Sequence, residues 1–171
     1  PVHLLRNALP DARGDPPLTL TVIGVGNRLR GDDAAGLAVV ELLRGKLPAS
    51  VDLLEREGEP TSLIAAFDRG GTVWVVDAVS SGSAAGTVHR IDVTTGEVPA
   101  RFFRTSTHHL GLGEAIELAR AVGSFPDQLI VFGVEAAGFD LGHGLTPEVS
   151  RAVDQAATAI LEEVLACTNT P

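Results

Sequence analysis

Two unbroken apolar stretches, each the length of a strand, constrain the fold of this chain more than anything else in it. Residues 18–25 are apolar or β-branched apart from Gly24, and Val73-Trp74-Val75-Val76 forms the second stretch. A strand without a polar face is buried on both sides, which is the environment of a parallel sheet covered by helices. After the glycine-rich turn of residues 24–31, Leu37, Val40, Leu43 and Leu47 recur at helical spacing, with Asp32 and Asp33 in an acidic first turn. Residues 51–54 read as a short strand, 61–67 as a short helix and 72–76 as a strand ending at Asp77. Residues 87–93 alternate as a half-buried strand does, with Val88 and Ile91 breaking the strict period. That strand is expected to pair antiparallel at a sheet edge, reached through a hairpin-like connection over 80–86. Thr107 is the expected cap of a helix carrying Leu110, Leu112, Ile116 and Ala119. Residues 128–134 read as another buried strand, and Thr146-Pro147 opens a last helix to about Ala166. Strands alternating with helices predict a single-domain α/β three-layer sandwich: a mostly parallel twisted sheet, one antiparallel edge strand, and helices on both faces.

With 171 residues the chain fits one domain, expected over 17–167, with a flexible leader at 1–16 and a tail at 168–171. A hydrophobic fraction of 44% against 20% charged residues excludes a disordered chain. The formal net charge of -9 repels phosphate backbones and anionic lipid, which argues against nucleic-acid and membrane partners. No apolar run approaches the roughly 20 residues that cross a bilayer. A lone cysteine, Cys167, forms no intramolecular disulfide; this suits a reducing compartment, and the cytoplasm is the expected location. A monomer is the expected state.

In sheets of this kind ligands sit outside the carboxyl ends of the strands, which singles out three loops. The first is Gly24-Val25-Gly26-Asn27-Arg28-Leu29-Arg30-Gly31-Asp32-Asp33. A dinucleotide fingerprint would place a third glycine where Leu29 stands, and the aspartates would repel a pyrophosphate. The two carboxylates either cap the helix start or, stabilised in ionised form by its positive end, bind a cation. The second loop starts at Asp77, which reads either as an Asx-turn residue or as a carboxylate placed at the ligand edge. The third holds Thr107-His108-His109-Leu110-Gly111; a histidine in a helix's first turn is kept neutral, the form metals bind, although surface or capping roles fit as well. His3, His89 and His143 read as having no special role. Brought to one edge, Asp33, Asp77 and His108 or His109 supply two carboxylate oxygens and an imidazole, a donor set for Zn or Ni with positions left open. No HExxH motif and no Gly-X-Ser-X-Gly elbow is present, and Cys167 stands apart from all three loops.

These motifs, in this order, resemble the hydrogenase maturation proteases, which trim the large subunit of nickel-iron hydrogenases. The resemblance rests on the first loop through Asp33, on Asp77-Ala78, and on His108-His109-Leu110-Gly111-Leu112. Phe132-Gly133-Val134-Glu135 and Gly144-Leu145-Thr146-Pro147-Glu148-Val149 extend it. Ala34-Ala35 departs from the glycine that follows the acidic pair in many relatives. The resemblance implies that Asp33, Asp77 and His108 form the metal-binding, catalytic site, with His109 as the lesser candidate and Asp32 as a possible replacement for Asp33. It further implies an endopeptidase that removes a C-terminal extension from a nickel-loaded large-subunit precursor. The nickel is supplied by that substrate, and no organic cofactor is needed. Two alternatives stay open: the trio holds its own metal, or the protein is a non-catalytic nickel- or precursor-binding maturation factor.

Overall fold

The first apolar stretch forms β1 (Leu20–Val25), and all six of its residues are buried in the computed structural model of the chain. The structure describes residues 19–96 and 111–168. A 3-10 turn (Gly31–Ala34) leads into α1 (Ala35–Leu43), followed by β2 (Val51–Arg56), α2 (Pro60–Phe67) and β3 (Thr72–Val79). Then come β4 (Val88–Asp92), α3 (Leu112–Val122), β5 (Gln128–Glu135) and α4 (Pro147–Thr168). The strand order is β2-β1-β3-β5-β4; every pairing is parallel except β4 with β5. The expected layered α/β architecture is thus present, with β4 as its antiparallel edge strand.

Strand alternation divides the core in two. Leu20, Val22, Trp74, Val76, Ile130 and Phe132 face α1 and α4, which contribute Val39, Val40, Leu43, Val149, Val153 and Ile160. Ile23, Val25, Val73, Val75, Leu129 and Val131 face α2 and α3, which contribute Leu63, Phe67, Leu112 and Ile116. Because both faces are covered, the central strands have no polar side to show water, which is why they read as continuous apolar runs. One polar group is carried into the first layer. The Trp74 indole N–H donates to Glu163 Oε2 at 2.9 Å, and Arg90 Nε donates to Glu163 Oε1 at 2.6 Å, so α4 is fastened to β3 and β4.

Several element ends differ from those expected, each for a tertiary reason. β3 runs on to Val79 rather than stopping before Asp77, because β5 continues to pair with it through Asp77↔Gly133 and Val79↔Glu135. β1 pairs with β3 only as far as Gly24↔Val76, so Asp77 loses its neighbour on that side. The 80–86 connection is no β3–β4 hairpin, since β5 lies between those two strands. α1 stops at Leu43, and Leu47 packs on the core from the following turn. α3 starts at Leu112 with Gly111 in the capping position, where the Gly111 N–H donates to Glu114 Oε2 at 2.8 Å. The expected cap Thr107 and the expected helix residue Leu110 lie outside the described residues.

The start of α1 lies directly on the β1–β3 junction. A Cβ on Gly36 would stand 2.2 Å from the Val76 carbonyl oxygen and 2.3 Å from that of Val25, while one on Gly24 would meet the Gly36 carbonyl oxygen at 2.3 Å. These two glycines are needed for backbone to touch backbone. Gly36→Ala is expected to destabilise the fold by about 1–3 kcal/mol or more through forced backbone displacement. At Gly45, where φ is +78° and an added Cβ meets nothing, alanine would cost only the left-handed strain of roughly 1–2 kcal/mol. Urea unfolding of the two variants checks the order; equal losses would remove the close-contact explanation.

Candidate functional site

From β1 the chain passes through α1 outward to β2, and from β2 through α2 back across β1 to β3. The sheet therefore has a topological switch point between β1 and β3, where the open carboxyl ends of an α/β sheet form a crevice. The Gly24–Asp33 stretch leaves β1 here, and Asp77 stands on β3 one position beyond its last pairing with β1. Gly26, at φ +146°, lets the turn close: a Cβ there would stand 1.8 Å from the Asp33 carbonyl oxygen. Asn27 Oδ1 accepts from the Leu29 N–H at 2.9 Å, and the Asp33 N–H donates to the Arg30 carbonyl at 3.1 Å, shaping the loop that presents Asp33.

Asp33 and Asp77 are thereby brought together. Burial pushes the Asp33 carboxyl above the ordinary carboxylate range, against the pull of the Arg30 charge and of a hydrogen bond from the Asn27 backbone. Asp77 is pushed further, to about 7; burial is the main cause, the Asp33 charge adds to it, and a hydrogen bond from the Ala78 backbone opposes it. Two partly buried carboxyls, both shifted upward by burial and one of them further by the charge of the other, form a site that takes up a proton or a cation.

Asp32 behaves differently from its neighbour. It is fully buried, and its carboxylate accepts from Thr146 N at 2.7 Å, Ala137 N at 2.9 Å, Thr146 Oγ1 at 3.1 Å and Gly138 N at 3.3 Å. The Thr146 carbonyl accepts the Ser150 N–H at 2.8 Å, so this residue opens α4 and sets the positive end of that helix beside Asp32. Asp32 is therefore engaged in the scaffold and is no equivalent substitute for Asp33. Adjacent identical residues carry no signal in sequence to separate these roles.

His108 and His109 lie outside the described residues. Among the described residues no group of three His, Cys, Asp or Glu side chains is assembled in metal-binding fashion, so the described part of the site is the Asp33–Asp77 pair. Sequence reasoning assigned no role to Glu135, which is buried at the end of β5. Its carboxylate accepts from Ser81 N and Ser81 Oγ, both at 2.7 Å, and from Gly82 N at 2.9 Å, closing the loop after β3. His89 Nε2 lies 3.4 Å from Glu135 Oε2, an ion pair when the imidazole is protonated, so His89 is tied to this loop from β4. A lone glutamate ending an otherwise apolar strand was the available signal. Beside the Asp33 turn lies a cleft of about 540 Å³. It is lined by Gly26, Asn27 and Leu29 of the turn, by Glu55 at the end of β2, by Glu57 in the connection that follows and by Ser62 of α2.

The Asp77 shift has a consequence for stability. In the unfolded chain Asp77 ionises near 3.8, whereas in the folded chain it holds its proton to about 7. The folded state then binds more protons between these values. The contribution of Asp77 to stability accordingly falls as pH rises through this window, and is constant above it. Asp77→Asn is expected to unfold at a higher temperature than the wild type at pH 7.5, with the difference closing toward pH 4. Thermal unfolding at both pH values checks this; a difference independent of pH would contradict the burial of the pair.

Comparison with known proteins agrees with this fold. The family model for hydrogenase maturation protease matches residues 37–163, a span that includes Asp77 and begins just after Asp33. The hydrogenase 2 maturation protease of Escherichia coli strain K12 is 34% identical over 153 residues, covering 87% of this chain and 90% of its own. The structure of the hydrogenase maturating endopeptidase HybD from E. coli superposes with a TM-score of 0.75 at 31% identity, over 88% of this chain and 94% of that one. The [NiFe] hydrogenase maturation protease HycI from Thermococcus kodakarensis KOD1 gives a TM-score of 0.68 at 25% identity, over 85% and 92%. With a carboxylate pair at the switch point of a shared fold, and a family match across most of its length, this chain belongs to the hydrogenase maturation protease family.

Proposed function

We propose that this protein is an endopeptidase that removes a C-terminal extension from the nickel-loaded precursor of a nickel-iron hydrogenase large subunit, and that Asp33, Asp77 and His108 bind the substrate's nickel. The observation that carries the metal reading is the Asp33–Asp77 pair: two partly buried carboxyls, with Asp77 pushed to about 7 by burial and by repulsion from the Asp33 charge. A divalent cation arriving with the substrate relieves that repulsion and takes the place of the Asp77 proton. Carboxylate oxygens, joined by the imidazole of His108, suit nickel and leave positions for the substrate's own ligands. Held at the carboxyl ends of β1 and β3, the nickel fixes the precursor so that the scissile bond is oriented before cleavage.

The cleft beside the Asp33 turn is a suitable channel for the substrate chain, since Gly26 and Asn27 belong to both the cleft and the turn. Among the described residues no helix is long and apolar enough to cross a membrane. The proposed setting is the cytoplasm, with the protein acting as a monomer on its precursor.

Incubated with nickel-loaded precursor, the wild-type protein is expected to shorten it by the mass of the extension. Asp33→Ala, Asp77→Ala and His108→Ala are each expected to slow this on the order of 100-fold through lost positioning. Mass spectrometry of the precursor reads the outcome. Full activity in all three variants would overturn the site, and a bound precursor of unchanged mass would favour a non-catalytic maturation factor instead.

A further inference from the structure

The Asp33 turn is joined to a second loop, of which only the last residues, Gly144-Leu145-Thr146, belong to a motif read in the sequence. Residues 136–146 run from the end of β5 to the start of α4, and a set of hydrogen bonds ties them to residues 29–32. The Asp32 N–H donates to the Gly138 carbonyl at 3.3 Å and the Gly142 N–H donates to the Leu29 carbonyl at 3.0 Å. The Asp32 carboxylate takes the Ala137, Gly138 and Thr146 N–H groups together with the Thr146 hydroxyl. Gly31, at φ +55°, lets the two backbones meet, since a Cβ there would stand 3.2 Å from the Asp140 carbonyl oxygen.

We infer that Asp32 is a positioning residue: by drawing residues 136–146 and the start of α4 onto the 3-10 turn, it holds Asp33 opposite Asp77. Three features carry this inference. Asp32 is fully buried, so its charge is tolerable only while all its donors stay in place. Those donors come from both ends of one loop, Ala137 and Gly138 at one end and Thr146 at the other, so a single carboxylate closes the loop on itself and on the turn. Finally, Asp32 and Asp33 share one 3-10 turn of four residues, within which neither backbone moves without the other. The carboxylate keeps its shape but loses its charge in Asp32→Asn, where an amide N–H would confront the backbone N–H donors.

The mechanical coupling stands on the structure alone; its catalytic consequence rests on the function proposed above. Asp32→Asn is compared with the wild type well below its unfolding temperature, by backbone hydrogen exchange and by precursor cleavage. Exchange is expected to rise roughly tenfold or more in residues 26–34 and 136–146 together. Turnover is expected to fall by about tenfold or more with KM held within about twofold. Glu163→Gln, which loosens α4 from Trp74 and Arg90 instead, is expected to leave turnover and both segments unchanged. Wild-type exchange in 26–34 of Asp32→Asn would overturn the inference. If that variant does not fold, Thr146→Ala removes one donor and keeps the charge; a smaller rise in both segments supports the coupling, and a rise confined to 136–146 overturns it. Should the wild type itself fail to shorten the precursor, the proposed function falls while the exchange data still decide the coupling.

Discussion

The contact on which the rest of the structure depends is the backbone approach of Gly36 to the ends of β1 and β3. With no side chain at Gly24 or Gly36, the first turn of α1 settles against the Val25 and Val76 carbonyls instead of standing a layer away. The 3-10 turn before it is then forced over Gly26, and Asp33 arrives beside the strand position at which β3 outruns β1. Ala34-Ala35, the departure from the family pattern, does not disturb this path. The residue that must be glycine for packing is Gly36, and both alanines are accommodated, with Ala35 in the core.

Four carboxylates stand at or near the same end of the sheet and meet two different fates. Asp32 and Glu135 are buried deeply, yet each is saturated by N–H and hydroxyl donors from a loop it closes. Burial so compensated rigidifies without leaving chemistry to do. Asp33 and Asp77 are less deeply buried as residues, but face each other with few compensating donors, and both are shifted upward. Groups left uncompensated within an otherwise satisfied scaffold are the ones available to a ligand. The scaffold carboxylates hold the two loops that frame the pair.

The layering explains why some of this was legible from sequence and some was not. Strands buried on both faces announce themselves as apolar runs, so β1, β3 and β5 could be placed, and β4 could be recognised as an edge by its alternation. Element ends depend on which neighbour keeps pairing. The extension of β3 through Asp77 follows from its partner β5, over 50 residues away in the chain, and no local pattern records it. The same holds for the intrusion of β5 between β3 and β4.

By itself the sequence determined the α/β class, the glycine-rich turn after β1, the candidacy of Asp33 and Asp77, and the family resemblance that the comparisons then established. Those properties are written in side-chain periodicity, in residue types that turns demand and in an ordered set of motifs. Only the tertiary structure decided which of two adjacent aspartates supports the fold and which faces Asp77. The roles of Asp32 and Asp33 are set by donors from residues 137–146 and by the strand register at Val76, and proximity between such distant segments exists only once the sheet has formed.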